Sequence, residues 1–130
     1  MARTKAFDRT EVLERAMTLF WRQGYEATSI QDLVAHTGVN RASLYATYGD
    51  KRTLFGAALA HYRDVVSARR MRQLTEPGAG KAAIRRFFRE LIEYSLGEGH
   101  PLGCLLANSA IELAPHDPAL VAECTAGIAR

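Results

Sequence analysis

TSIQDLVAHTGVNRASLYATYGDKRTL, residues 28–54, reads as a short helix, a glycine turn, a second short helix, an aromatic stop and a freshly capped third helix. That order is the layout of a helix-turn-helix, which sets its second helix in a DNA major groove. Ser29 followed three positions later by Asp32 predicts a capping box, in which hydroxyl and carboxylate each satisfy a backbone N–H of the first turn. Ile30, Leu33 and Val34 then give one apolar stripe at helical spacing. Gly38, after Thr37, supplies the left-handed conformation that a sharp helix exit needs. Asn40 is the natural cap of the next helix. There Leu44 and Tyr48, one turn apart, face inward, and Arg41, Ser43, Tyr45 and Thr47 face solvent or a ligand. Gly49-Asp50 resets the backbone and caps a long helix from Lys51.

Working outward, a helix over about residues 9–23 has Asp8 and Glu11 as a second three-residue capping pair. Val12, Leu13, Ala16, Met17, Phe20 and Trp21 make its apolar stripe, and Gly24 stops it. The helix from Lys51 should run to about residue 74, with Leu54, Phe55, Ala58, Tyr62 and Val66 buried. Pro77-Gly78-Ala79-Gly80 breaks the chain before a helix over about 81–95. An apolar helix over about 104–113 ends at Pro115, and Asp117-Pro118 opens a last one with a cap and a proline at its first position. That helix is still apolar-periodic through Cys124 and Ile128 where the sequence stops. No strand or repeat is predicted, so the fold class is all-α.

Composition narrows the function classes. With 130 residues and 48% hydrophobic content, this is one domain, or a small domain joined to part of a second. The formal charge is +3, and residues 1–55 hold eight Lys/Arg against six Asp/Glu, a net of +2. A nucleic-acid partner is permitted, but its contacts must depend on where the cations sit. No stretch has the eighteen apolar residues of a membrane span, and MARTKAFDRT has no apolar signal core, so a cytoplasmic protein is expected. Two cysteines make no disulfide framework, and no Cys/His spacing suggests zinc. No metal, cofactor or catalytic residue is expected.

These residues resemble the TetR family of transcriptional regulators. Gly24-Tyr25-Glu26-Ala27-Thr28-Ser29-Ile30 is similar to the family's entry pattern G-[YF]-x-x-[TS]-[ST]-[IV], and Leu44 to Lys51 to its exit pattern L-Y-x-[HY]-F-x-[SD]-K. Thr47 stands where the family often has histidine, and Tyr48 replaces its usual phenylalanine. The match covers about residues 8–60. Gly103 to Asn108, followed by Pro115-His116-Asp117-Pro118, looks like the effector region of one group within the family.

The resemblance implies a three-helix, homeodomain-like DNA-binding domain over residues 1–50. A helical ligand-binding and dimerisation region follows over 51–130, partial and truncated, because family members continue for several dozen residues into the helices of a four-helix dimer interface. It further implies a ligand-responsive repressor that binds a palindromic double-stranded DNA operator as a homodimer and releases it for a small-molecule inducer. Thr28, Ser29, Tyr45, Thr47 and Lys51 are the expected contacts at and around the phosphates. Arg41, Ala42 and Ser43 are the expected base readers, Arg41 because a guanidinium pairs well with guanine edges. Arg3 and Lys5 form either a basic arm into the neighbouring groove or a disordered tail.

Cys104 is either a buried small residue or a thiol poised at a helix start, where a thiolate sensor of oxidants or electrophiles would sit. Phe88, Tyr94 and Ile111, with Phe87 and Leu91, either line a ligand pocket beside it or are plain core. Two rival classes stand beside the regulator. One is a small enzyme using Cys104 with His100 or His116, which lacks an oxyanion site and a third orienting group. The other is a helical protein-interaction module without stable DNA binding.

Overall fold

The computed structural model describes residues 8–96 and 102–122, all in helices, turns and connecting segments. Seven α-helices appear among them: α1 (Arg9–Gln23), α2 (Ile30–Thr37), α3 (Arg41–Tyr48), α4 (Lys51–His61), α5 (Ala68–Thr75), α6 (Lys81–Leu96) and α7 (Leu105–Leu113). A further helical stretch, 118–122, follows. Arg3, Lys5, His100, Cys124 and Ile128 lie outside the described residues.

The core forms where α1 crosses α4. Val12, Ala16, Leu19 and Phe20 from α1 meet Leu54, Phe55, Ala58 and Leu59 from α4, and all are buried. Phe20 and Phe55 pack edge to face at 4.9 Å between centroids, and Tyr25 leans on Phe55 at 4.7 Å. Burying each such ring contributes about 1.5–3 kcal/mol. Leu33 and Val39 fasten α2 and its turn to this core, Leu44 fastens α3, and Leu105, Leu106, Leu113 and Leu120 extend it into the second half of the chain.

The single helix expected over 51–74 is divided. Tyr62–Ser67 is a π-helical segment between α4 and α5, so one stretch of helix carries a wider turn. It opens at Tyr62, whose ring meets Trp21 of α1 edge to face at 5.0 Å.

The capping pair at α1 is half formed. The Asp8 carboxylate accepts from the N–H groups of Thr10 and Glu11 at 2.9 and 3.2 Å, while Glu11 pairs with Arg15 instead. Helix α6 carries two apolar stripes and has one neighbour. Ala83, Phe87, Leu91 and Tyr94 turn inward or are half covered, whereas Ile84, Phe88, Ile92 and Leu96 lie exposed on the surface.

Candidate nucleic-acid interface

Each helix of the 28–54 segment begins where its side chains say it should. Ser29 Oγ accepts from the Asp32 N–H at 3.0 Å, and the Asp32 carboxylate accepts from the Ser29 N–H at 3.0 Å, completing the capping box. These bonds, the backbone one first, hold the Asp32 carboxyl below the usual carboxylate range. Gly38 takes φ +77° at the end of α2, a conformation that costs a side-chain-bearing residue dearly. The Thr37 hydroxyl donates to the Leu33 carbonyl at 2.7 Å and accepts from the Val39 N–H at 3.2 Å, tying the turn together. Asn40 Oδ1 accepts from the Ser43 N–H at 2.8 Å and so caps α3. Asp50 Oδ1 takes the Thr53 N–H at 2.7 Å, and that bond lowers the Asp50 carboxyl in turn. Charged caps at the starts of α2 and α4 fix the angle at which α3 is presented.

On α3 itself, Leu44 is buried and Tyr48 half buried against the core. Burial raises the Tyr48 phenol, and the Arg9 charge opposes that rise, which places the first turn of α1 beside the exit of α3. Arg41 and Ala42 stand fully on the surface, with Ser43 and Tyr45 half exposed. The Arg41 guanidinium lies over the Tyr45 ring at 5.5 Å, so two of the expected contacts rest on each other in the free protein. Lys51, in the first turn of α4, holds its ammonium 4.3 Å from the Tyr25 ring centroid. A ring face covers one side of an ammonium, which keeps hydrogens for an anion on the other.

Two threonines depart from the expectation. Thr28 has 0% exposure, and its hydroxyl donates to the Gly24 carbonyl at 2.7 Å. Its side chain therefore fastens the α1–α2 turn and offers no surface to a phosphate. Thr47 is half exposed, yet its Oγ1 is enclosed without a hydrogen-bond partner. It could reach a phosphate only by turning about χ1. The position was legible in the sequence; the direction of the hydroxyl was not.

The expected ligand residues divide as well. Cys104 occupies the cap position of α7 without a side-chain cap bond and is half buried against the core. The Tyr62 hydroxyl lies beside its thiol and the Leu105 backbone, and burial pushes the Tyr62 phenol well above its ordinary range. Trp21 joins the same cluster, stacking on Tyr94 at 6.1 Å and donating its indole N–H to the Leu102 carbonyl at 3.3 Å. Arg70 covers the Tyr94 ring at 4.6 Å. Phe88, 56% exposed, and Ile111, 77% exposed, take no part in it. Phe88 belongs to the outer stripe of α6, and Ile111 faces away from the core on α7, so neither is pocket wall nor plain core beside Cys104. Tyr94 with Phe87, Leu91, Arg70, Gln73 and Glu90 bounds a groove of about 210 Å³. A larger cavity of about 490 Å³ lies between α4 and the residues Leu106 and Leu120, with Arg52 and Arg63 at its rim. His116 is exposed, and no cluster of metal-ligating side chains occurs among the described residues. Nor is any helix among them long and apolar enough to cross a membrane.

Sequence reasoning missed the contacts that join the two halves. The Glu112 carboxylate accepts from the Tyr25 and Glu26 N–H groups, each at 2.9 Å. Asp117 accepts from Arg52 through Nε at 2.9 Å and Nη2 at 3.1 Å. Nothing in the local pattern of an acidic residue reveals a partner 65 or 87 positions away.

A capped helix-turn-helix packed on a helical second region defines the class of DNA-reading helical regulators. The chain belongs to the TetR family: the family model described as "Bacterial regulatory proteins, tetR family" matches residues 12–58. It is 46% identical over 120 residues to the HTH-type transcriptional regulator YezE of Bacillus subtilis (strain 168), covering 92% of this chain and 62% of YezE. Against the HTH-type transcriptional repressor ComR of Escherichia coli (strain K12) the identity is 39% over 114 residues, covering 87% and 54%. The chain thus spans between half and two-thirds of the length of these relatives. Among solved structures, a cysteine mutant of the TetR family regulator CifR complexed with 26-bp double-stranded operator DNA superposes with a TM-score of 0.75 at 34% identity. That likeness covers 91% of this chain and 64% of CifR.

Proposed function

We propose that the protein is a DNA-binding transcriptional regulator, a ligand-responsive repressor acting in the cytoplasm on a palindromic double-stranded operator. The observation that carries this is α3. It is capped by Asn40, anchored by Leu44 and presents Arg41, Ala42 and Ser43 on the surface. The likeness to CifR on operator DNA supports the same use of that face. Residues 1–50 are the reading domain, and 51–130 hold the response and pairing functions. Arg41, Ala42 and Ser43 read base edges, while Ser29, Tyr45, Lys51 and, after rotation, Thr47 position the head on phosphates. Two copies set their α3 helices in successive major grooves, roughly 34–36 Å apart. An inducer bound among the later helices favours the spacing that does not fit DNA, and its preference for that form sets the response. A second reading, a thiol sensor of the same family, is favoured by the placement of Cys104 under the Tyr62 hydroxyl at the start of α7.

The test is selection of duplexes from a random library by the purified protein, followed by binding titrations at several salt concentrations. A steep log-log dependence on salt is expected. Arg41→Ala should cost about 1–3 kcal/mol on the selected site and flatten base preference at one position. Lys51→Ala should weaken every duplex alike and lower the salt slope by about one. No selected sequence and a flat salt dependence would replace this function with the protein-interaction reading.

A further inference from the structure

The α1–α2 turn, on which the reading head hangs, is held by a residue from the far end of the described chain. Glu112, in the last turn of α7, spans the two consecutive amides of Tyr25 and Glu26 with its two carboxylate oxygens, 2.9 Å on each side. Gly24 makes room for it: a Cβ there would lie 3.1 Å from Glu112 Oε1. Four residues later the capping box of α2 begins at Ser29. On the other side of the α2–α3 unit, Arg52 in the first turn of α4 is gripped through two nitrogens by Asp117. Both ends of the reading unit are thus fixed by carboxylates from the 112–117 stretch, one at its entry and one at its exit. Charge-assisted, two-point bonds of this kind are short and directional, so a shift of α7 pulls on the turn and not merely on its surroundings.

We propose that Glu112 is a positioning residue for DNA binding, through which the setting of α7, with Cys104 at its start, fixes the orientation of α2 and α3. This rests on the reading of the protein as a DNA-binding regulator. Glu112 touches neither DNA nor the helix caps; it acts through the Tyr25 and Glu26 amides. A glutamine there keeps one acceptor but opposes an N–H₂ to the second amide, so it breaks one of the two bonds while keeping size and shape.

The test uses the whole chain and two readouts. Amide hydrogen exchange should accelerate about tenfold at Tyr25 and Glu26 in Glu112→Gln and Glu112→Ala, with the α1–α4 core amides unchanged. The second readout is the rate at which iodoacetamide alkylates Cys104, followed on its own peptide, with and without a duplex selected by the wild-type protein. Coupling is reciprocal, so bound duplex should change the Cys104 rate several-fold in the wild type. It should leave that rate unchanged in Glu112→Ala, tested at protein concentrations that saturate the duplex. A purely architectural role would lower the melting temperature and leave this coupling in place. Unchanged exchange at the two amides, no coupling in the wild type, or equal coupling in Glu112→Ala would each overturn the proposal. A wild-type protein that selects no duplex overturns the regulatory reading, and the transmission with it, whatever the exchange shows.

Discussion

Two threonine hydroxyls show how far a sequence motif reaches and where packing takes over. Spacing identifies which positions share a face of a helix, but the rotamer at each is decided by neighbours from other elements. Thr28 spends its hydroxyl on the Gly24 carbonyl. Thr47 leaves its own enclosed and unpartnered, although a helical threonine commonly bonds the carbonyl one turn back. An orphaned hydroxyl is a standing cost, so Thr47→Val, nearly equal in volume, should raise unfolding free energy by about 1 kcal/mol in urea titrations. A loss of stability would mean that the hydroxyl finds a partner in solution. The same variant separates the two uses of the side chain. If Thr47 rotates to a phosphate in the complex, Thr47→Val weakens binding to selected and random duplexes alike; if it stays inward, affinity is untouched.

At the scale of elements, the helices were readable because their caps are local. Ser29, Asn40 and Asp50 each bond an amide within three residues, and short-range chemistry is what a sequence displays. The Asp32 and Asp50 carboxyls are both lowered by those bonds, so each is more acidic folded than unfolded. The stability they add is therefore complete above the ordinary aspartate pKa of about 3.9 and is lost as pH falls through their lower folded values. Melting temperature should be flat from neutral pH to about pH 5 and fall below about pH 4. Asn caps as well as Asp but does not titrate, so Asp50→Asn should be near neutral at pH 7 and flatten the acid limb. An acid limb as steep as that of the parent would assign the pH dependence to other carboxylates. The outward stripe of α6 was harder to read. Its two faces are equally apolar, and only the number of neighbouring helices decides which is covered.

For the whole molecule, the contacts that matter most were the least legible. Glu112 and Asp117 look like ordinary surface acids on helix ends, and their partners appear only once the chain is folded. The proposed pairing belongs to this scale also. Light scattering at micromolar concentration should give a mass of twice 14.4 kDa, whereas a single-chain mass at every concentration would leave α3 a lone half-site reader. One further consequence lies in the π-helical segment at Tyr62–Ser67. A wider turn holds one residue more than the α-helix around it requires. The chain therefore stores a unit of slack midway between the reading head and α6. Loss of a single codon anywhere in that segment could be absorbed as unbroken helix, and everything beyond it would turn by about 100°. Arg70 would then swing off the Tyr94 ring, while the caps at Asn40 and Asp50 would not register the loss. Insertions and deletions should accumulate there in diverging copies of this gene sooner than elsewhere in residues 51–75.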